Sequence, residues 1–178
     1  MEGARDFGTA EHVKADAVGE PGHRTFRVRV ATAEGAACFW MEKEQLQALG
    51  MALDQLLAQL RTNKVGRVAP PAAASESGDF PNTFTYEFRV GRLGLGYEDE
   101  RDLLVLLVHD QETDPEGPPT LQVRVSRGKA STLSAEITTT VAAGRPRCPL
   151  CGAPLGGGPH ACPGSNGRSP TPISGERQ

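Results

Sequence analysis

Arg24-Thr25-Phe26-Arg27-Val28-Arg29-Val30-Ala31 is the stretch on which the reading of the fold turns. Phe26, Val28 and Val30 fall on one side of an extended backbone, and Arg27 and Arg29 fall on the other. That two-residue period belongs to a strand with one face in a core. Glu34-Gly35 supplies a turn, and Ala36 to Met41 returns as a second strand carrying Cys38, Phe39 and Trp40, so the pair predicts a hairpin. An apolar strand face needs a cover. The next segment offers one: over Glu42 to Thr62, Leu46, Leu49, Leu53, Leu56, Leu57 and Leu60 line up on one helical stripe. Glu42 and Glu44 stand in its first turn, with Arg61 and Lys64 at its close, as the helix dipole favours. A dimer or cofactor face would use the same stripe; packing on the chain's own strands is the simpler reading.

Working outward, Val13, Ala15 and Ala17 alternate with polar residues, predicting a short strand that ends at the turn Gly19-Glu20-Pro21-Gly22. Residues 65–81 hold Pro70-Pro71-Ala72-Ala73-Ala74-Ser75 and read as a flexible linker or surface loop. Thr83 to Val90 alternates again, and Gly91, Gly94 and Gly96 mark a bulge or close packing in its continuation to Tyr97. Leu103 to Val108 is a nearly continuous apolar strand, expected at the sheet centre, and Leu121 to Val125 alternates. Leu133, Ile137 and Val141 predict a second helix over Ser126 to Ala143, stopped by Gly144. The threonine run 138–140 is poor helix-forming sequence. The expected fold is α+β: a mainly antiparallel sheet built from two strands-then-helix halves, followed by a small C-terminal zinc knuckle. The expected boundaries are 1–144 for the α+β domain, 145–163 for the knuckle and 164–178 for a disordered tail. Thr25 to Val30 resembles Thr120 to Val125, a hint of duplication.

The knuckle is the place where reactive side chains cluster. Cys148-Pro149-Leu150-Cys151-Gly152 presents two cysteines from one tight turn, whose amides can hydrogen-bond the sulfurs while both bind one ion. Gly152 permits the left-handed conformation such a turn needs. His160-Ala161-Cys162 follows after a Gly/Pro connector. Cys148, Cys151, His160 and Cys162 would make a closed Cys₃His site for structural Zn²⁺. A single residue between His160 and Cys162 is tight, so water or a group from the main domain is an alternative fourth ligand. A thioredoxin-like redox pair would open a helix after a strand, and this motif does not.

At 178 residues with a net charge of -3, the chain has room for a core and no global field for nucleic acid or an anionic membrane. The N-terminal residues lack a signal-peptide pattern and no apolar run is long enough to span a bilayer, so a cytoplasmic protein with reduced thiols is expected. Cys38 reads as a small buried hydrophobe. The leading functional expectation is a zinc-binding, non-enzymatic binding or scaffold module with a protein partner. One alternative is an enzyme whose pocket lies between the halves and uses His23, Arg24, His109 and Asp110; His109 before an acidic loop also reads as a plain strand end. A second alternative is nucleic-acid binding through Arg145, Arg147 and Arg168 beside the knuckle. His12 with Asp16 is a weaker cluster.

Several ordered segments resemble an uncharacterised actinobacterial protein family carrying a domain of unknown function. They are Val18 to Phe26, Glu42 to Leu46, Phe88 to Tyr97, and Ala142 to Gly152 with His160-x-Cys162-Pro163. The resemblance implies a C-terminal zinc-ribbon-like tail and a genetic association with a phosphoglycerate-mutase-type phosphatase and a kinase-like protein, hence a link to phosphate metabolism under the enzyme alternative. It implies no established activity. Gly164 stands where an arginine commonly follows the proline, and the second helix is richer in Ser and Thr than the family pattern.

Overall fold

The structure, a computed structural model, describes residues 4–63, 80–144, 148–153, 155, 160, 162 and 163. Nearly all of the expected linker 65–81, the expected tail 164–178 and Arg145, Arg147 and Arg168 lie outside the described residues. The chain divides into two compact units, Met1–Ala142 and Ala143–Gln178.

The larger unit runs β1 (Arg5–Thr9), β2 (His12–Val18), β3 (Thr25–Thr32), β4 (Gly35–Met41), α1 (Lys43–Asn63), β5 (Tyr86–Glu98), β6 (Leu103–Asp110), β7 (Leu121–Ser126) and α2 (Arg127–Ala142). Its seven strands form one sheet in the order β1-β7-β6-β5-β4-β3-β2. The sheet is mixed, which corrects the expectation of a mainly antiparallel one. β4 pairs with β5 in parallel, and so does β1 with β7; the other four pairings are antiparallel. The cause is the helix: after α1 the chain comes back beside β4 running the same way, as a strand–helix–strand crossover requires. Each half does run strands then helix, β2 to β4 before α1 and β5 to β7 before α2. The two look-alike segments sit in different places, however, because β3 is the middle strand of its meander and β7 the last of its own. β6 is interior, but β5 holds the centre.

The topology forces curvature. β1 and β2 occupy opposite edges of the sheet, yet only Ala10 and Glu11 separate them. Seven flat strands would put those edges about 29 Å apart, while three residue steps reach about 11 Å. The sheet is therefore rolled. Ala10 N–H donates to Arg124 O on β7 at 2.7 Å and Glu11 N–H to Ala31 O on β3 at 2.8 Å, so β1 and β2 behave as one bent strand joining both ends. Across the concave side Phe7 meets Tyr86 edge-on, with ring centroids 5.4 Å apart. Below that point α2 covers the free edge of β2: Ala15 N–H donates to Glu136 Oε2 at 3.0 Å and Thr140 Oγ1 to Ala15 O at 3.4 Å. Covering an edge in this way removes a template for strand addition.

The concave face carries the core. Val28 and Val30 of β3, Phe39 and Met41 of β4, Leu104, Leu106 and Val108 of β6, and Leu121, Val123 and Val125 of β7 are buried with Leu46, Leu49, Leu53, Leu57 and Leu60 of α1 and Leu133 and Ile137 of α2. The two helices approach closely at Gly50, where a Cβ would stand 2.8 Å from Ile137 Cγ2. α2 continues through the threonine run, where Thr138 and Thr139 turn their hydroxyls back onto the carbonyls of Ser134 and Ala135, both at 3.0 Å. The register shift between Val90 and Arg92 places the expected bulge at Gly91, where a Cβ would meet Gln111 Cα at 2.9 Å. Among the described residues, no helix is long and apolar enough to cross a membrane.

Candidate metal centre

The second unit is organised by a turn. Gly152 N–H donates to Cys148 O at 2.8 Å, and Cys148 N–H donates to Ala153 O, also at 2.8 Å. Gly152 sits at φ +72, the left-handed region that a side chain resists, so the glycine of the motif has a backbone reason. The turn aims amides inward: the Cys151 and Leu150 N–H groups donate toward the Cys148 sulfur and hold its thiol down at about 6. Amides arranged to stabilise a thiolate also stabilise a thiolate on an ion.

Cys148, Cys151, His160 and Cys162 each offer one ligand atom, and all four atoms lie within 4.8 Å of one another. Cys148 Sγ and Cys162 Sγ stand 3.6 Å apart, and Cys151 Sγ and His160 Nε2 stand 3.2 Å apart. At 3.6 Å the two sulfurs are not bonded, since a disulfide needs about 2.05 Å; all four cysteines of the chain are free. Cys148 and Cys162 are buried, while Cys151 is exposed. His160, the residue whose spacing left its role open, thus stands with the three sulfurs. Such a group has the donors and the spread to hold a metal ion.

The residues of the enzyme alternative are not brought together. His109 and Asp110 are consecutive on β6 and so project to opposite faces of the sheet. His23 lies in the turn before β3, and β4 and β5 separate β3 from β6. Two shallow grooves of about 490 and 540 Å³ flank Glu87 to Arg89, one reaching Asp110 and Glu112 and the other Thr25 and Trp40; neither is lined by His23, Arg24 or His109. His12 and Asp16 share β2, but Asp16 is committed to Arg27 (2.5 Å) and to Arg29. Cys38 is fully buried, and that burial pushes its thiol up to about 11.

Two polar clusters escaped the reading of the sequence. On the convex face Arg29, which alternation places opposite the apolar side of β3, is 7% exposed and lies under the ring of Phe80 with its guanidinium carbon 4.7 Å from the centroid. The signal that could have found it is Arg27-x-Arg29 registered against Asp16 on β2. At the far end, Asp102 takes a left-handed φ of 57 and accepts from the Tyr97 hydroxyl and from Arg127 Nε at 2.7 Å. That contact ties the β5–β6 hairpin to the first residue of α2.

No curated protein matches the chain. The family model described as protein of unknown function DUF3090 matches residues 5–162, a span that takes in the whole rolled sheet, both helices and all four metal-type ligands. The chain belongs to that family of proteins of unknown function.

Proposed function

We propose that the second unit is a structural zinc knuckle and that the chain is a non-enzymatic binding or scaffold protein, cytoplasmic, with a protein partner. The observation that carries this reading is the convergence of three thiols and one imidazole from two short segments to within 4.8 Å. A tetrahedral zinc with bonds of about 2.3 Å to sulfur and 2.0 Å to nitrogen sets its sulfurs about 3.8 Å apart and a sulfur–nitrogen pair about 3.5 Å apart. The spacings of 3.6 and 3.2 Å lie within about 0.3 Å of those values. The donor set is soft, and zinc combines a taste for thiolate and imidazole with no geometric demand beyond the tetrahedron. Cys148, Cys151, His160 and Cys162 would all be protein ligands, leaving no open position for a substrate or an activated water.

The scaffold part is supported by the distribution of the other reactive groups. His109, Asp110, His23 and Arg24 do not meet in either shallow groove, and Asp16, Arg27, Arg29, Asp102 and Arg127 are engaged in ion pairs within the larger unit. The metal test is elemental analysis of the purified full chain, expected to give about one zinc per chain. Cys148→Ser combined with Cys151→Ser should abolish it, and unchanged zinc in that variant would sink the ligand assignment. For the partner, capture by the full chain should be lost when residues 145–178 are removed; retention would place the docking surface on the larger unit.

A further inference from the structure

The geometry points to a second property of the same cluster, resting on the zinc reading: it is a peroxide-responsive redox switch in which Cys151 is the sulfur oxidised first. The chain sorts its four cysteines by access. Cys151 is exposed, whereas Cys148 and Cys162 keep 7% and 8% of their surface and Cys38 none. An oxidant arriving from solvent meets Cys151 before any other thiol. The two shielded sulfurs lie inside the same 4.8 Å group, close enough to trap an oxidised Cys151 before further oxidation. Cys38, fully buried on β4, is not part of the group.

The step balances without any group beyond the peroxide. Cys151 Sγ attacks one peroxide oxygen; an S–O bond forms, the O–O bond breaks, and hydroxide leaves. The sulfur of Cys148 or Cys162 then attacks Cys151 Sγ; an S–S bond forms, the S–O bond breaks, and a second hydroxide leaves. Two thiolates have lost two electrons, the peroxide has gained them, and two protons from solvent complete two waters. A disulfide withdraws two of the four ligands, so the ion is released and the unit loses the bonds that order it. A thiol reductant with fresh zinc reverses the change.

The test uses the full chain loaded with zinc and treated with hydrogen peroxide. Free zinc is read with a chromogenic chelator, thiols are counted, and cysteine adducts are mapped by mass spectrometry with and without dimedone, which traps sulfenic acid. The expected result is release of about one zinc and loss of about two thiols per chain, a dimedone adduct on Cys151, and a disulfide joining Cys151 to Cys148 or Cys162. Dithiothreitol and zinc should restore the starting state, and Cys38→Ala should respond like the parent. Zinc retained with thiols intact under excess peroxide would overturn the switch and leave the knuckle standing, as would first reaction at Cys148 or Cys162. A chain that neither contains nor takes up zinc would overturn the knuckle reading itself.

Discussion

On the zinc reading, the larger unit and the cluster of Cys148, Cys151, His160 and Cys162 reach order by opposite routes. In the larger unit Leu46, Leu104, Leu121 and Leu133 have no measurable exposure, and each such side chain contributes about 1.5–3 kcal/mol through burial. In the smaller unit the buried residues among those described are Cys148 and Cys162, while Leu150 is 68% exposed and Leu155 only half-buried. One unit is held by apolar surface removed from water. The other has ligand atoms where a core would be. A few residues are too short to bury much surface, and on the proposed zinc reading ligation supplies the stabilisation.

The largest effect that tests this contrast is metal removal. A strong chelator, or Cys148→Ser with Cys151→Ser, withdraws ligation of about 10 kcal/mol or more from the knuckle. Its amide resonances should collapse to disordered positions while those of Arg5 to Ala142 stay dispersed. If the larger unit melts as well, the two routes are not separate. The reverse experiment is Leu104→Ala, which opens a cavity at a fully buried position of β6 and should cost about 2–5 kcal/mol by urea denaturation. Zinc content should not change. A variant that loses both stability and zinc would break the division from the other side.

Within the larger unit, polar contacts follow the same logic of burial. Arg127 is 6% exposed and depends on Asp102. Asp102→Asn keeps a side chain that tolerates the left-handed backbone but removes the charge, and should cost about 2 kcal/mol. Arg89 and Glu42 form an exposed pair at 3.2 Å, and Arg89→Ala should cost about 0.5 kcal/mol or less. Equal losses would mean that burial does not set the scale. Gly50→Ala gains helix propensity but drives a Cβ to 2.8 Å from Ile137 Cγ2, for a net loss of about 1 kcal/mol. Ile137→Leu, which lacks that methyl, should recover most of it; an additive double variant would rule out the clash.

The two units also differ in how openly the sequence declares them. The Cys/His cluster is local: the Cys148–Gly152 turn, His160 and Cys162 fall within fifteen residues, and their ligand-type atoms converge to within 4.8 Å. The alternating strands and the leucine stripe of α1 are local too, and they stand within a few residues of where their periods put them. β1 is different. Of Arg5-Asp6-Phe7-Gly8-Thr9 only Phe7 is buried, so no alternation of apolar residues announces a strand. Its pairing with β7 joins residues more than a hundred positions apart. The parallel β4–β5 contact likewise depends on where the chain re-enters after α1, which no period records. Rolling of the sheet follows from both, and could not be read before either was known.

The smallest effect concerns a buried group that neither route satisfies. His109 is 6% exposed, with Arg92 Nη2 3.3 Å from its Nε2. A guanidinium can only donate, so Nε2 accepts and the ring proton sits on Nδ1. Nδ1 has no hydrogen-bond partner. Burial first, and the Arg92 charge second, hold the His109 pKa below its ordinary 6.5. The folded chain therefore takes up this proton later than the unfolded one. The contribution is complete above the unfolded pKa and is lost as pH falls through it toward the folded value, because the unfolded state then binds more protons. Other ionisable groups also shape the parent curve, so that curve alone does not isolate the effect. His109→Gln keeps an acceptor for Arg92 and cannot titrate. Its stability should decline less steeply than the parent's between about pH 7.5 and pH 5.5, and parallel curves would show that His109 stays neutral in both states or charges freely in the fold.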